Sequence, residues 1–139
     1  MITTKGRNAL KIMLDLAQHG DGAPVSLADI AERIKESQKY LETTVSQLTQ
    51  KGLIISSRGK SGGYRLAKSP EDITIAQIIT AAEGSLAPVS CLYSDNPCEN
   101  ADRCLSLPLW RELDEVIMNF LNSKSLSDLL KNGDSAAVK

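Results

Sequence analysis

The side chains of this 139-residue sequence with the clearest capacity for chemistry are three cysteines, Cys91, Cys98 and Cys104. Six residues separate the first pair and five the second, and these intervening residues include Pro, Asn, Asp and Glu. Structural free thiols normally lie among apolar residues, so three unrelated buried cysteines fit this setting poorly. Iron–sulfur clusters are held mainly by thiolates, and zinc accepts the same donors. The spacing therefore predicts a metal centre and leaves the metal open.

Residues 26–66 have the pattern of a helix, a tight turn, a second helix, and two strands joined by a glycine-rich loop. Ser26 can cap the first helix, whose apolar residues recur at helical spacing. They are Leu27, Ile30, Ala31 and Ile34. The second helix, predicted from Gln38 to Gln50, has its apolar residues on one side: Leu41, Val45 and Leu48. This order is typical of a winged helix-turn-helix, which lays its second helix in the DNA major groove.

The charge distribution agrees with contact between this stretch and DNA. The whole chain has 16 basic and 17 acidic side chains. Residues 37–68 nevertheless contain six basic side chains against one acidic, whereas residues 69–139 contain five basic against eleven acidic. A positive field on the second helix and the wing is expected where a protein contacts phosphates. The alternative is a solvated basic face on an ordinary helical domain.

Seven residues are predicted to contact DNA: Ser37, Gln38, Lys39, Tyr40, Glu42, Arg58 and Lys60. Arg58 is expected to enter the minor groove or to contact a phosphate, and Lys39 to contact a phosphate. The single acid, Glu42, can accept hydrogen bonds from cytosine amino groups and so read sequence. Its alternative role is a solvated helix charge paired with Lys39.

The remaining elements are a first helix, a fourth helix that ends before the cysteines, and a long helix after them. The predicted ranges are Thr4–Gln18, Thr74–Glu83, Pro108–Asn122, and a short helix from Ser125 through Leu130, followed by a polar end that frays. The long helix carries an apolar stripe wider than a small domain needs, which favours a homodimer interface. The predicted organisation is a DNA-binding domain over residues 1–84, a cluster-binding loop over 85–107, and a dimerisation helix with a tail over 108–139.

Composition excludes several classes of protein. The chain has 42% hydrophobic residues but no apolar run long enough to cross a membrane, and its start lacks a secretion signal. We therefore expect a cytoplasmic protein, where clustered cysteines serve metal or redox chemistry rather than structural disulfides. The only histidine, His19, is at a predicted helix end, and there is no phosphate-binding glycine loop or activated nucleophile. An enzyme with a small-molecule substrate is not expected.

The sequence resembles the Rrf-type family of bacterial winged-helix transcription regulators over nearly its whole length, and most of all the iron–sulfur regulators within it. The matching segments are residues 4–7, 27–30, 40–42, 52–53, 58–59, 62–64, the three-cysteine segment and residues 109–111. The resemblance implies a homodimer with crossed long helices and a cluster beside them that controls DNA choice or affinity. Two positions depart from the family pattern. Leu107 stands where a histidine ligand is expected, and Arg7 and Asn8 offer no carboxylate where another branch supplies one.

These observations predict a mainly α fold with a small β wing, formed by a winged helix-turn-helix and a long C-terminal dimerisation helix. The predicted function is a homodimeric regulator that binds operator DNA, with an iron–sulfur cluster on the three cysteines sensing iron–sulfur, redox or nitric oxide status. The resemblance favours a two-iron cluster over a four-iron cluster. The alternative is a winged-helix repressor of the same family without a cluster, controlled by cysteine oxidation, zinc or a protein partner.

Overall fold

A computed structural model describes residues 2–20, 23–60, 62–86 and 105–136, and within these ranges it contains six α-helices and one two-stranded sheet. The elements are α1 (Thr4–His19), α2 (Leu27–Ile34), α3 (Gln38–Gln50), β1 (Ile54–Ser57), β2 (Gly63–Leu66), α4 (Ile75–Glu83), α5 (Leu107–Asn122) and α6 (Leu126–Ala136). A short 3-10 helix, Pro70–Asp72, precedes α4. None of the described helices is both long and apolar enough to cross a bilayer.

Side chains at the helix starts fix where the helices begin. The Ser26 hydroxyl accepts a hydrogen bond from the Asp29 amide, which caps α2. At α4 the Thr74 and Gln77 side chains each accept from the other residue's backbone amide, which forms a capping box. Such caps satisfy amides that have no partner inside the helix. The predicted first and fourth helices and the cap at Ser26 are confirmed.

The core lies where α1, α3 and α4 meet and also includes a residue of α6. The largest fully buried apolar side chains are Ile12, Met13, Ile30, Leu41, Leu48, Ile54, Ile73, Ile78 and Leu126. Two backbone hydrogen bonds join the start of α6 to the start of α4, from the Ile75 amide to the Lys124 carbonyl and from the Leu126 amide to the Ile73 carbonyl. The chain after α5 therefore returns to the same core as the N-terminal helices.

The wing is an antiparallel pair in which Ile54 lies opposite Leu66 and Ser57 opposite Gly63. Val25 extends this pair, because its amide and carbonyl exchange 2.8 Å hydrogen bonds with the carbonyl and amide of Tyr64. A Cβ at Gly63 would lie 2.3 Å from the Val25 carbonyl oxygen, so only glycine permits this approach. The wing is thereby attached to the segment that leads into α2.

One boundary predicted from the sequence was wrong. The last helix was expected to end at Leu130 with a frayed tail, but α6 continues to Ala136. The Ser125 hydroxyl accepts from the Asp128 amide and the Asp128 carboxylate accepts from the Ser125 amide. Because nucleation is the costly step of helix formation, a helix started by this reciprocal cap can propagate through polar residues.

The N-terminus of α1 is held by a carboxylate from the end of α4. Glu83 accepts hydrogen bonds from the Thr3 amide, from the Thr3 hydroxyl at 2.9 Å and from the Gly6 amide at 3.2 Å. A Cβ at Gly6 would lie 2.8 Å from a Glu83 carboxylate oxygen, so glycine allows the two helices to approach here. Burial tends to raise the pKa of Glu83, but the hydrogen bonds from Thr3 and Gly6 outweigh it and lower the pKa.

Glu83→Gln should lower the free energy of unfolding by about 1–2 kcal/mol near neutral pH, because a charged acceptor is lost. A carboxyl whose pKa is lower in the folded state stabilises the fold above its unfolded pKa, and this contribution disappears as pH falls through the folded pKa. Urea denaturation at a series of pH values should therefore show the difference between the variant and the unmodified chain shrinking in acid. The control is Glu71→Gln, an exposed carboxylate. Equal effects of both variants at all pH values would contradict this role of Glu83.

Candidate nucleic-acid interface

Helix α3 buries one face and exposes the other. Leu41, Val45 and Leu48 are buried, as predicted. The predicted contact residues of this helix are exposed: Gln38, Lys39, Tyr40 and Glu42. Tyr40 keeps 45% of its surface accessible. A row of polar and aromatic groups on the open face of a rigid helix can reach the edges of bases in a groove.

The buried face of α3 is wider than the sequence pattern indicated. Gln47 is not one of the three apolar positions identified from the sequence, but it is half-buried, and its Oε1 has no hydrogen-bond partner among the described residues. Thr44 was not assigned to the core and is buried. Helix α3 contacts α1, α2 and α4, so core packing extends beyond the three apolar positions that periodicity identifies.

The turn between α2 and α3 fixes the first residues of α3. Lys35 adopts a left-handed conformation with φ of 61°, and its amide donates to the Ala31 carbonyl. The Ser37 hydroxyl then accepts a 3.1 Å hydrogen bond from the Tyr40 amide and caps α3. Ser37 was predicted to contact DNA, and the structure gives its side chain a capping role in the free protein.

A bidentate ion pair holds α2 against α1. The Arg33 guanidinium donates to both carboxylate oxygens of Asp15, at 2.7 and 2.8 Å, and Asp15 is buried. The hydrogen bond to Asp15 is the main cause that raises the pKa of Arg33. The sequence reading missed this pair. The available signal was an acid placed between the apolar residues Met13 and Leu16 of α1, since a buried carboxylate requires a partner.

The tip of the wing presents two cations. Arg58 and Lys60 are both exposed, and the loop between them is tightened by a 3.0 Å hydrogen bond from the Gly62 amide to the Gly59 carbonyl. Within the described residues the only ion pair joins Arg33 to Asp15, so the charges of Lys39, Arg58 and Lys60 are not neutralised there. For the same reason the predicted alternative pairing of Glu42 with Lys39 is not seen.

Helix α5 has two apolar faces. Ile117, Met118 and Leu121 pack against the core. A second row is exposed to solvent and consists of Leu109, Leu113, Val116 and Phe120. Its spacing of four, three and four residues places these side chains on one line along the helix. The wide stripe read from the sequence is therefore divided between the core and an uncovered surface.

The three cysteines lie outside the described residues. The nearest described residues on either side of them are Leu86, which is buried, and Leu105, which is almost fully exposed. The described ranges contain no group of three His, Cys, Asp or Glu side chains that could hold a metal ion.

Comparison with known proteins identifies the family. The profile of the Rrf2 family, described as an iron-dependent transcriptional regulator, matches residues 2–132. The chain belongs to the Rrf2 family. An HTH-type transcriptional regulator IscR from Serratia proteamaculans is 43% identical over 99% of this chain and 83% of its own length. The IscR of Yersinia enterocolitica is 44% identical over the same shares.

Solved structures of Rrf2-family regulators have the same fold. The IscR of T. potens gives a TM-score of 0.78 at 38% identity and covers 98% of this chain and 90% of its own. CymR, the global cysteine regulator of B. subtilis, gives 0.76 at 38% identity and covers 95% and 97%. The predicted resemblance and the predicted winged-helix fold are confirmed. This Rrf2 protein is a DNA-binding transcription regulator and not an enzyme, as predicted.

Proposed function

We propose that this Rrf2 protein binds operator DNA as a homodimer and that Cys91, Cys98 and Cys104 hold an iron–sulfur cluster that controls the binding. The observation that carries the proposal is the set of three cysteines in a chain 43% identical to proteins named IscR. Such a regulator would act in the cytoplasm, which contains the DNA. The bound cluster would supply a centre that responds to iron–sulfur, redox or nitric oxide status.

The DNA contacts are assigned to the exposed face of α3 and to the wing tip. Gln38 and Tyr40 lie at the exposed start of α3 and are placed to meet bases or backbone, while Lys39 is suited to a phosphate. Glu42 lies on the same exposed face and can accept from cytosine amino groups, so it would discriminate between sites rather than add affinity. Lys60 and Arg58 extend the contact from the wing to the flanking backbone or the minor groove.

The dimer interface is assigned to the exposed apolar row of α5. Leu109, Val116 and Phe120 each leave more than half of their surface accessible, at 56%, 64% and 58%. Such a row on one helix is costly in water and can be covered by the same row of a second copy related by two-fold symmetry. A two-fold dimer would also present two copies of α3 to two half-sites of an operator.

The donor set of the cysteine segment suits a cluster. Three thiolates within fourteen positions, from residue 91 to residue 104, can face one centre. Leu107, where a fourth ligand would be a histidine in the resembled branch, is buried in the first turn of α5 and has no donor atom. A fourth ligand would then be an oxygen donor such as Asp102, Ser106 or Glu112, a group from the partner chain, or a small exogenous thiol or water. Weaker fourth ligation would leave one iron open to oxygen or nitric oxide. We favour a two-iron over a four-iron cluster from the resemblance.

The second candidate function is a cluster-free repressor controlled by cysteine oxidation, zinc or a protein partner. It is favoured by the similarity to CymR, which is as high in identity as the similarity to the solved IscR structure. Both candidates keep the DNA contacts and the dimer, and they differ in what the three cysteines bind.

Arg58→Ala should weaken binding to a selected operator by about tenfold or more and should reduce the dependence of log affinity on log salt by about one, because one phosphate contact is lost. Fluorescence anisotropy over a range of salt concentrations measures both quantities. Lys131→Gln, which removes an exposed cation from α6, is the control and should change neither. An unchanged affinity and slope for Arg58→Ala would remove the wing from the interface.

Val116→Glu should convert a dimer to a monomer, since a carboxylate in the centre of an apolar interface has no partner. Light scattering and sedimentation at several concentrations measure the mass. Glu115→Gln, an exposed position off the apolar row, is the control. A dimer of unchanged strength in Val116→Glu would place the interface elsewhere, and a monomeric unmodified chain would remove the dimer.

Anaerobically purified protein should show visible absorption and contain iron and acid-labile sulfide, and Cys98→Ser should lose most of all three because one thiolate ligand is removed. Ser94→Ala, in the same segment, should retain them. Protein that contains zinc, or that forms a disulfide in air and holds no iron when purified without air, would support the second candidate instead.

A further inference from the structure

A cavity of about 240 Å³ lies where the end of α3, the residue that follows the wing and the middle of α4 come together. It is lined by Lys51, Leu53, Lys68, Gln77, Thr80 and Ala81. This volume lies below the range of sites for drug-sized molecules and suits a smaller ligand. None of the residues predicted to contact DNA is among these lining residues.

The charge of the cavity has one sign. Two of its six lining residues are lysines and none is acidic. Within the described ranges neither Lys51 nor Lys68 has a carboxylate within 4 Å, since the ion pair found there joins Arg33 to Asp15. An anion in this small concave surface would be attracted by both ammonium groups.

The wall of the cavity contains a hydroxyl that lacks a partner. The Thr80 Oγ1 is buried and makes no hydrogen bond to any described residue. A threonine inside a helix commonly donates to the carbonyl four residues earlier, as Thr49 does to Val45 at 2.7 Å in this structure. Thr80 does not, and an unsatisfied buried hydroxyl is unfavourable. This hydroxyl is shielded from solvent in the structure, so a rotation of the Thr80 side chain to its second helical rotamer is needed before an anionic oxygen in the cavity can accept from it.

The backbone holds the two lysines on one rim. The Ala67 amide donates to the Leu53 carbonyl at 3.0 Å, which joins the segment that bears Lys68 to the segment that bears Lys51. Leu53 and Ala81 are buried and give the cavity an apolar part. The site therefore combines a cationic rim, a hydroxyl and an apolar surface on elements that are fixed by core packing.

We propose that this cavity binds a small molecule that carries a carboxylate or phosphate group. The anionic group lies between Lys51 and Lys68, near the Thr80 hydroxyl, and the uncharged part rests on Leu53 and Ala81. The site lies between the helix that presents Gln38 to Tyr40 and the helix that leads to the cysteine segment. This proposal goes beyond the proposed function and does not depend on the cluster or on the dimer.

The test uses the full chain without DNA and two probes, inorganic phosphate and succinate, at constant ionic strength with chloride as the reference. NMR titration should show saturable shifts at the amides of Lys51, Lys68 and Thr80 for at least one probe, and the probe that binds identifies the anion class. Lys51→Gln and Lys68→Gln should each weaken binding about tenfold, because a charge-assisted contact is lost. The control, Lys11→Gln, should leave binding unchanged.

Thr80→Val separates ligand binding from structural effects. It keeps the size of the side chain and removes an unpartnered hydroxyl, so the free energy of unfolding should stay the same or rise while anion binding weakens. The proposal is overturned if neither probe binds more strongly than chloride, or if Lys11→Gln weakens binding as much as the rim variants. It is also overturned if Lys51→Gln and Lys68→Gln reduce DNA affinity and its salt slope while neither anion binds, because the lysines would then be phosphate contacts of the DNA.

Discussion

The buried face of α3 is the constraint on which the rest of the structure depends. Leu41, Val45 and Leu48 are inserted into a core that α1 and α4 complete, and the orientation of the exposed face follows from that insertion. A helix that reads DNA must present its side chains at fixed angles, since displacement of a hydrogen-bonding group removes its contact. Burial of one side of α3 supplies this rigidity without any contribution from the exposed residues. The exposed residues can therefore be of the types that suit contact with DNA without any loss of this rigidity.

Two polar contacts fix the positions of α2 and the wing, the elements on either side of α3. The ion pair of Arg33 with the buried Asp15 sets the position of α2, and the exchange of hydrogen bonds between Val25 and Tyr64 attaches the wing to the chain that enters α2. Loss of Arg33 would leave an unpaired buried carboxylate. Any packing of α1 against α2 that separates this pair is therefore strongly unfavourable. The positions of α3 and the wing are therefore coupled through α2 as well as through the core.

The sequence predicted the elements whose patterns are local and missed the features that depend on tertiary contact. Ser26 as a cap, the apolar side of α3 and the paired strands follow from short-range rules, and the family resemblance confirmed their order. The burial of Thr44 and the partial burial of Gln47 did not follow, because they result from the contacts of α3 with α1, α2 and α4. The division of the α5 stripe into a core face and an exposed row also could not be read from periodicity. Periodicity shows which residues share a face of the helix, but it does not show whether the core of the same chain or another molecule covers that face. The contacts with DNA and the ligands of the cysteines stay predictions.

The cysteine segment lies in the chain between α4, which packs against α3, and α5. It therefore connects the proposed sensor to the proposed DNA-contact surface and to the proposed dimer interface. The segment follows α4, whose last residue, Glu83, holds the N-terminus of α1, and it precedes α5, which carries the exposed apolar row. A group that ties Cys91, Cys98 and Cys104 together would shorten the path between these helices and favour particular angles between them. Since α5 contacts α4 and α4 contacts α3, a change of that angle would reach α3 through packed side chains. In a two-fold dimer it would also alter the separation of the two α3 helices, and a half-site spacing is matched only when that separation is correct. The proposed control of DNA affinity by the cysteines therefore needs no direct contact between a bound cluster and DNA.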